Sequence, residues 1–208
     1  ASFNGNLFIA FDSSQDRLHV WDGSTVRRTG LATPAAPTAA NTGSGSYAAT
    51  VRYYKVAYAT ISGSVTLRVS ELSDALTFTP SGSGTHARVT KPSAITEGET
   101  HWQLYGSADN DTYELIAQTA VGTTTYDDNV APDSYTGDAP PLVGTHKNWQ
   151  SVKYLLTGNN QLIGAGSHES GVQRNRVWFS AFLGETEQGD DESVPQTVSQ
   201  KNYIDLGE

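Results

Sequence analysis

Tyr53-Tyr54-Lys55-Val56-Ala57-Tyr58 decides the fold class. Tyr54, Val56 and Tyr58 fall on one face and Lys55 on the other, the period-two pattern of a half-buried strand. The same period returns in Trp102-Gln103-Leu104-Tyr105 and in Tyr113-Glu114-Leu115-Ile116-Ala117. Turn signals separate these runs at Ser81-Gly82-Ser83-Gly84, Thr96-Glu97-Gly98-Glu99 and Ala108-Asp109-Asn110-Asp111, because Gly, Asn and Asp tolerate backbone angles that strands do not use. Short strands at this spacing predict an antiparallel sandwich between Pro34 and Pro141, with Tyr54, Val56, Tyr58, Trp102 and Leu104 in its core.

Outward from that stretch, the two ends carry a second pattern. Asn6-Leu7-Phe8-Ile9-Ala10-Phe11 and Arg17-Leu18-His19-Val20-Trp21 flank the polar turn Asp12-Ser13-Ser14-Gln15-Asp16 as a hairpin, and Trp21-Asp22-Gly23 closes the second strand. Near the other end, Gln161-Leu162-Ile163-Gly164-Ala165-Gly166 and Arg176-Val177-Trp178-Phe179-Ser180-Ala181 flank a second polar loop. Related hairpins of this kind build β-propeller blades, although two of them do not close a ring. The expected fold is therefore all-β: an immunoglobulin/fibronectin-type sandwich over 33–142, inserted between propeller-blade-like hairpins at 1–32 and 143–208.

Composition points the same way. Twenty Gly and ten Tyr, with abundant Ser, Thr and Val, favour strands and turns, and the Ala-rich run from Pro34 to Ala40 is broken by Pro34 and Pro37. Very little helix is expected. Cysteine is absent, which excludes disulfides and thiolate metal sites. Methionine is absent too, as expected for a processed product, a fragment or a window of a longer protein. Ala1 to Asn6 lacks the charged head and apolar core of a signal peptide. No apolar run approaches the roughly 20 residues that span a bilayer, so a soluble chain without membrane insertion is expected.

The net charge of −9 argues against nucleic-acid binding, which depends on Lys and Arg neutralising phosphates. Arg27-Arg28 is the only adjacent basic pair, against acidic clusters at Asp127-Asp128 and Asp190-Asp191-Glu192. That acidity reads as solubility and repulsion between unassembled copies.

Candidate chemistry is sparse. His168-Glu169 could pair as base and partner or bind a metal, with His146 and His19 the other histidines outside the sandwich, but no spacing suggests an orienting network. Asp109, Asn110 and Asp111 could offer oxygen ligands to calcium, yet lack the alternation and distal Glu of a helix-loop-helix site and read as a tight turn. Glu185, Glu187, Asp190, Asp191 and Glu192 share one polar stretch and read as a solvated loop rather than a carboxylate pair facing across a sugar bond. Gly164-Ala165-Gly166 precedes a loop and lacks the third glycine of a dinucleotide fingerprint. No catalytic, cofactor-binding or metal-binding residue is assigned. Among the aromatics, Trp102 is expected in the sandwich core, while Trp21, Trp149 and Trp178 lie in the flanks, packed between sheets or presented to a partner or a sugar ring.

The order Tyr53 to Tyr58, Ser70-Glu71-Leu72-Ser73, His101 to Ser107, then Thr124-Thr125-Tyr126-Asp127-Asp128 resembles the fibronectin-type insert of tailed-bacteriophage tail proteins. The flanking Gln161 to Gly166 and Arg176 to Ala181, with Tyr203-Ile204-Asp205-Leu206-Gly207-Glu208, resemble propeller blades of the same family. The resemblance implies a structural virion component of the tail, without catalysis or cofactor, assembling as a homo-oligomer with other tail proteins while the sandwich projects. A carbohydrate-binding or host-adhesion module touching surface glycans is the alternative, and a glycoside hydrolase fragment is a third reading.

Overall fold

The computed structural model describes every residue except 4, 12–15, 44–48, 82–84, 145, 150, 168–175, 181–196 and 206–208. The described residues are all-β: every pairing is antiparallel, no sheet closes on itself, and the one helical element is a 3-10 turn at Pro132–Ser134.

The strands are β1 (Ser2–Phe3), β2 (Asn6–Ile9), β3 (His19–Trp21), β4 (Val26–Arg28), β5 (Thr38–Thr42), β6 (Arg52–Ser62), β7 (Val65–Val69), β8 (Leu76–Phe78) and β9 (His86–Thr90). There follow β10 (His101–Ser107), β11 (Glu114–Ala120), β12 (Thr125–Asp128), β13 (Lys147–Asn148), β14 (Val152–Gly158), β15 (Gln161–Ser167), β16 (Arg176–Ser180) and β17 (Thr197–Asp205). They form four sheets, ordered β1-β2-β3-β4, β11-β10-β6-β7 with β8 also on β6, β12-β9-β5, and β13-β17-β16-β15-β14.

The chain divides into two compact units. The first comprises Ala1–Ala32, Thr60–Glu71 and Leu142–Glu208, and the second Thr33–Ala59 and Leu72–Pro141. Thr60–Glu71, counted with the sandwich in the sequence reading, thus belongs with the flanks. Two side chains account for this. Buried Arg68 donates to the Gly30 carbonyl at 3.3 Å and to Thr60 Oγ1 at 2.9 Å, and the Glu71 carboxylate accepts the Gly144 and His146 amides at 3.0 and 2.6 Å.

In the second unit, Trp102 pairs with Tyr58 and Leu104 with Val56 across β10 and β6. All four are fully buried together with Tyr54, as the alternation predicts. The polar edges of these large side chains are satisfied: Trp102 Nε1–H donates to the Thr123 carbonyl at 2.8 Å and the Tyr58 hydroxyl to the Pro92 carbonyl at 2.7 Å. A buried carboxylate ties β12 to β6. Asp128 Oδ2 accepts from Arg52 Nη1 at 3.0 Å, from the Tyr54 hydroxyl at 2.5 Å and from the Tyr135 hydroxyl at 2.6 Å, while its Oδ1 accepts the Val130 amide at 3.0 Å. Burial, reinforced by the Asp128 charge, pushes both phenols well above the usual tyrosine range. Gly106 makes room for this clamp, because a Cβ there would lie 2.6 Å from the Tyr135 ring.

In the first unit, the β1–β4 sheet and the β13–β17 sheet share one core. Phe8, Leu18 and Val20 from the first and Trp149, Leu162 and Trp178 from the second form a single buried cluster. Both expected hairpins are present, with Leu7 opposite Trp21 and Ile163 opposite Phe179. Close approach needs glycine at position 164, where a Cβ would lie 2.8 Å from the Trp149 ring. Ser151 Oγ donates to the Phe11 carbonyl at 3.0 Å, joining segments 140 residues apart.

Candidate assembly surface

Strand alternation sends every second side chain away from that core. On the β1–β4 sheet the outward row is Leu7–Trp21–Val26, directly opposite one another on β2, β3 and β4. Trp21 is 41% exposed and Val26 59%. The next row is Ile9–His19–Arg28. There the Phe11 ring meets His19 edge-on at 5.0 Å between centroids, and Arg28 Nε donates to Asp16 Oδ1 at 2.8 Å. That hydrogen bond from Arg28 holds the Asp16 carboxyl below its ordinary range.

On the β13–β17 sheet, inward Leu155, Gly164 and Trp178 alternate with two outward rows, Tyr154–Ala165–Val177–Ile204 and Leu156–Ile163–Phe179. Tyr154 is 62% exposed, Leu156 54% and Ile204 55%. Neither row contains an acid or a base. An antiparallel sheet with one face in water carries polar residues on that face. Here the outward faces carry apolar rows instead, beside the more polar row Ile9–His19–Arg28 on the first sheet and Lys153, whose Nζ lies 5.8 Å over the Tyr154 ring, on the second.

The candidates from the sequence fall elsewhere. His168-Glu169 and the acidic run Glu185, Glu187, Asp190, Asp191 and Glu192 lie outside the described residues. His146 is buried, and that burial pushes its imidazole down to about 4. His19 Nδ1 lies 2.9 Å from the Arg17 carbonyl. Asp109 Oδ1 accepts the Asp111 and Thr112 amides and the Ser107 hydroxyl, each at 2.9 Å, and Asn110 takes the left-handed conformation at φ 65°. This is the tight turn expected from Asp109-Asn110-Asp111. Its backbone donors hold the Asp109 carboxyl low.

Beside the turn is a recess of about 150 Å³ lined by Ser107, Asp109, Glu114, Asp133 and Tyr135. The Tyr135 hydroxyl is engaged with Asp128 and the Asp109 carboxylate with its own turn. Among the described residues no group of three or more His, Asp or Glu side chains is placed to hold a metal. Gly164-Ala165-Gly166 lies within β15, which ends at Ser167.

Of the four tryptophans, Trp102, Trp149 and Trp178 are buried and Trp21 is the exposed one. The outward rows are the feature that residue-by-residue reading passed over. Their signal is the near absence of charge from both parities of Gln161 to Gly166 and Val177 to Ser180. The chain matches no family model, no curated protein and no solved structure at a significant level.

Proposed function

We propose that this chain is a structural, non-catalytic component of a bacteriophage tail, in which the first unit supplies blade-like sheets to an oligomeric assembly and the second is a fibronectin- or immunoglobulin-type contact module. The observation that carries this reading is the pair of outward rows, Leu7–Trp21–Val26 and Tyr154–Ala165–Val177–Ile204, on sheets already packed through their other faces. Rigid strands with an apolar row exposed on the side away from the core suit repetition against further sheets, the construction of propeller blades. In tailed-phage particles that encode this chain, antibodies raised against it should decorate the tail in electron micrographs. Intact particles without tail label would overturn the assignment.

The host-adhesion alternative draws on Phe11 and Trp21, two aromatic side chains about 40% exposed in the first unit, since exposed aromatic rings can stack on sugars. A glycan array titrated with the chain and with Trp21→Ala tests it. Trp21-dependent binding to a defined glycan favours adhesion over assembly.

A further inference from the structure

We infer that the segment Tyr135–Asp138 is a strap that closes the outer edge of β11 against pairing with another chain. The inference concerns the second unit and stands apart from the tail assignment.

β11 is the last strand of its sheet, with β10 on one side. A strand in that place presents unpaired amides and carbonyls, a template for any further strand. After the 3-10 turn at Pro132–Ser134 the chain returns to this edge, and the Leu115 amide donates to the Asp138 carbonyl at 2.9 Å. The contact falls where the β10–β11 register jumps from Leu104↔Ala117 to Tyr105↔Leu115 and leaves Ile116 without a partner on β10. At such a bulge the strand bends and its ladder is interrupted. The strap sits on the weak point of the edge.

Two features hold it there. The Tyr135 side chain turns inward, its hydroxyl donating to Asp128 Oδ2 at 2.6 Å and its ring lying against Gly106. Gly137 then passes so close to β11 that a Cβ would overlap the Leu115 carbonyl oxygen. A side chain at position 137 has to lift the strap away from the strand. The Asp138 carboxylate comes near enough to act on Tyr105, the β10 residue opposite Leu115, whose phenol is raised above its ordinary range by burial first and by that charge second.

The strap does not become a new edge in its turn. Pro140 and Pro141 follow it, and proline has no N–H to offer a further strand. The β10–β11 ladder runs from His101 to Gly106 without the strap, so the strap can leave while the sheet stays whole. It therefore acts as a guard on the sheet rather than as one of its strands.

Hydrogen exchange of the full 208-residue chain, read at the Leu115 amide, makes the test. In the wild type this amide should exchange slowly at every concentration. Gly137→Val should accelerate it by roughly a hundredfold at low concentration, while the amide of buried Leu104 stays slow. As concentration rises, the Leu115 amide of that variant should slow again, because β11 of a second copy takes the place of the strap. Tyr135→Phe removes the hydroxyl anchor alone and should accelerate exchange by roughly tenfold.

Fast exchange at Leu115 in the wild type, or unchanged exchange in Gly137→Val, would overturn the inference. So would acceleration that persists at high concentration, since the opened edge would then recruit no strand. Acceleration at Leu115 and Leu104 together is general unfolding. Gly137→Ala, which adds the smallest side chain, then replaces the valine variant, and the same joint acceleration there would also overturn a local strap.

Discussion

Of the twelve large hydrophobic residues exposed among the described residues, ten belong to the first unit and two, Val51 and Val130, to the second. The second unit hides its aromatic rows and brings a charged pair, Arg52 and Asp128, inside with them. The first unit buries one face of each sheet and leaves apolar rows exposed on the other. The contrast separates a unit that buries most of its large apolar side chains from one that leaves rows of them exposed. Buried charge is tolerable only where hydrogen bonds replace water, and Asp128 has four donors.

The comparison breaks most readily in the core of the second unit. Trp102→Ala should cost about 3 to 5 kcal/mol, measured by denaturant unfolding of the second unit. A change under about 1 kcal/mol would mean that the indole does not fill that core.

The clamp should respond nearly as strongly. Asp128→Ala leaves the Arg52 charge buried without its carboxylate and should cost about 3 kcal/mol or more. The double variant Arg52→Met/Asp128→Leu should recover much of that loss. If the single variant were neutral, the second unit would owe little to its internal polar network.

A third experiment addresses the first unit through pH. Burial holds folded His146 at about 4, below its ordinary 6.5. As pH falls below 6.5 the unfolded chain takes up a proton that the folded chain refuses until about 4, so this contribution to stability is full above pH 6.5 and is lost on the way down to pH 4. The loss is on the order of 3 kcal/mol. It should appear as a falling unfolding midpoint in the first unit that His146→Gln removes; an unchanged slope in that variant would place the titration elsewhere.

The smallest effect sharpens the contrast best. Leu156→Thr, on the open face, should change the stability of the monomer by no more than about 0.5 kcal/mol. A loss comparable to that of Trp102→Ala would mean that Leu156 is packed inside the unit and its face is not open.

Much of this was legible in the sequence. Period-two alternation around Tyr54 and Trp102 depends on neighbouring residues alone, and it located β6, β10 and β11, the buried Tyr54, Tyr58 and Trp102, and the paired strands of both hairpins, but not β4, β5, β7, β8, β9, β13 or β14. Turn chemistry likewise placed the Asp109-Asn110-Asp111 turn, because a short side chain bonding its own backbone is a local event.

Three features were decided only by tertiary structure. Asp128 meets Arg52 and Tyr54 from 76 and 74 positions away in the chain, and no local pattern marks a carboxylate that will be buried. Thr60–Glu71 joins the flanks through Arg68 and Glu71, whose partners at Gly30, Gly144 and His146 lie far along the chain. Leu156, Ile163 and Phe179 line one open face only because register sets them opposite one another. Alternation tells which side chains share a face, while the sheet packed against that face decides whether it is core or surface.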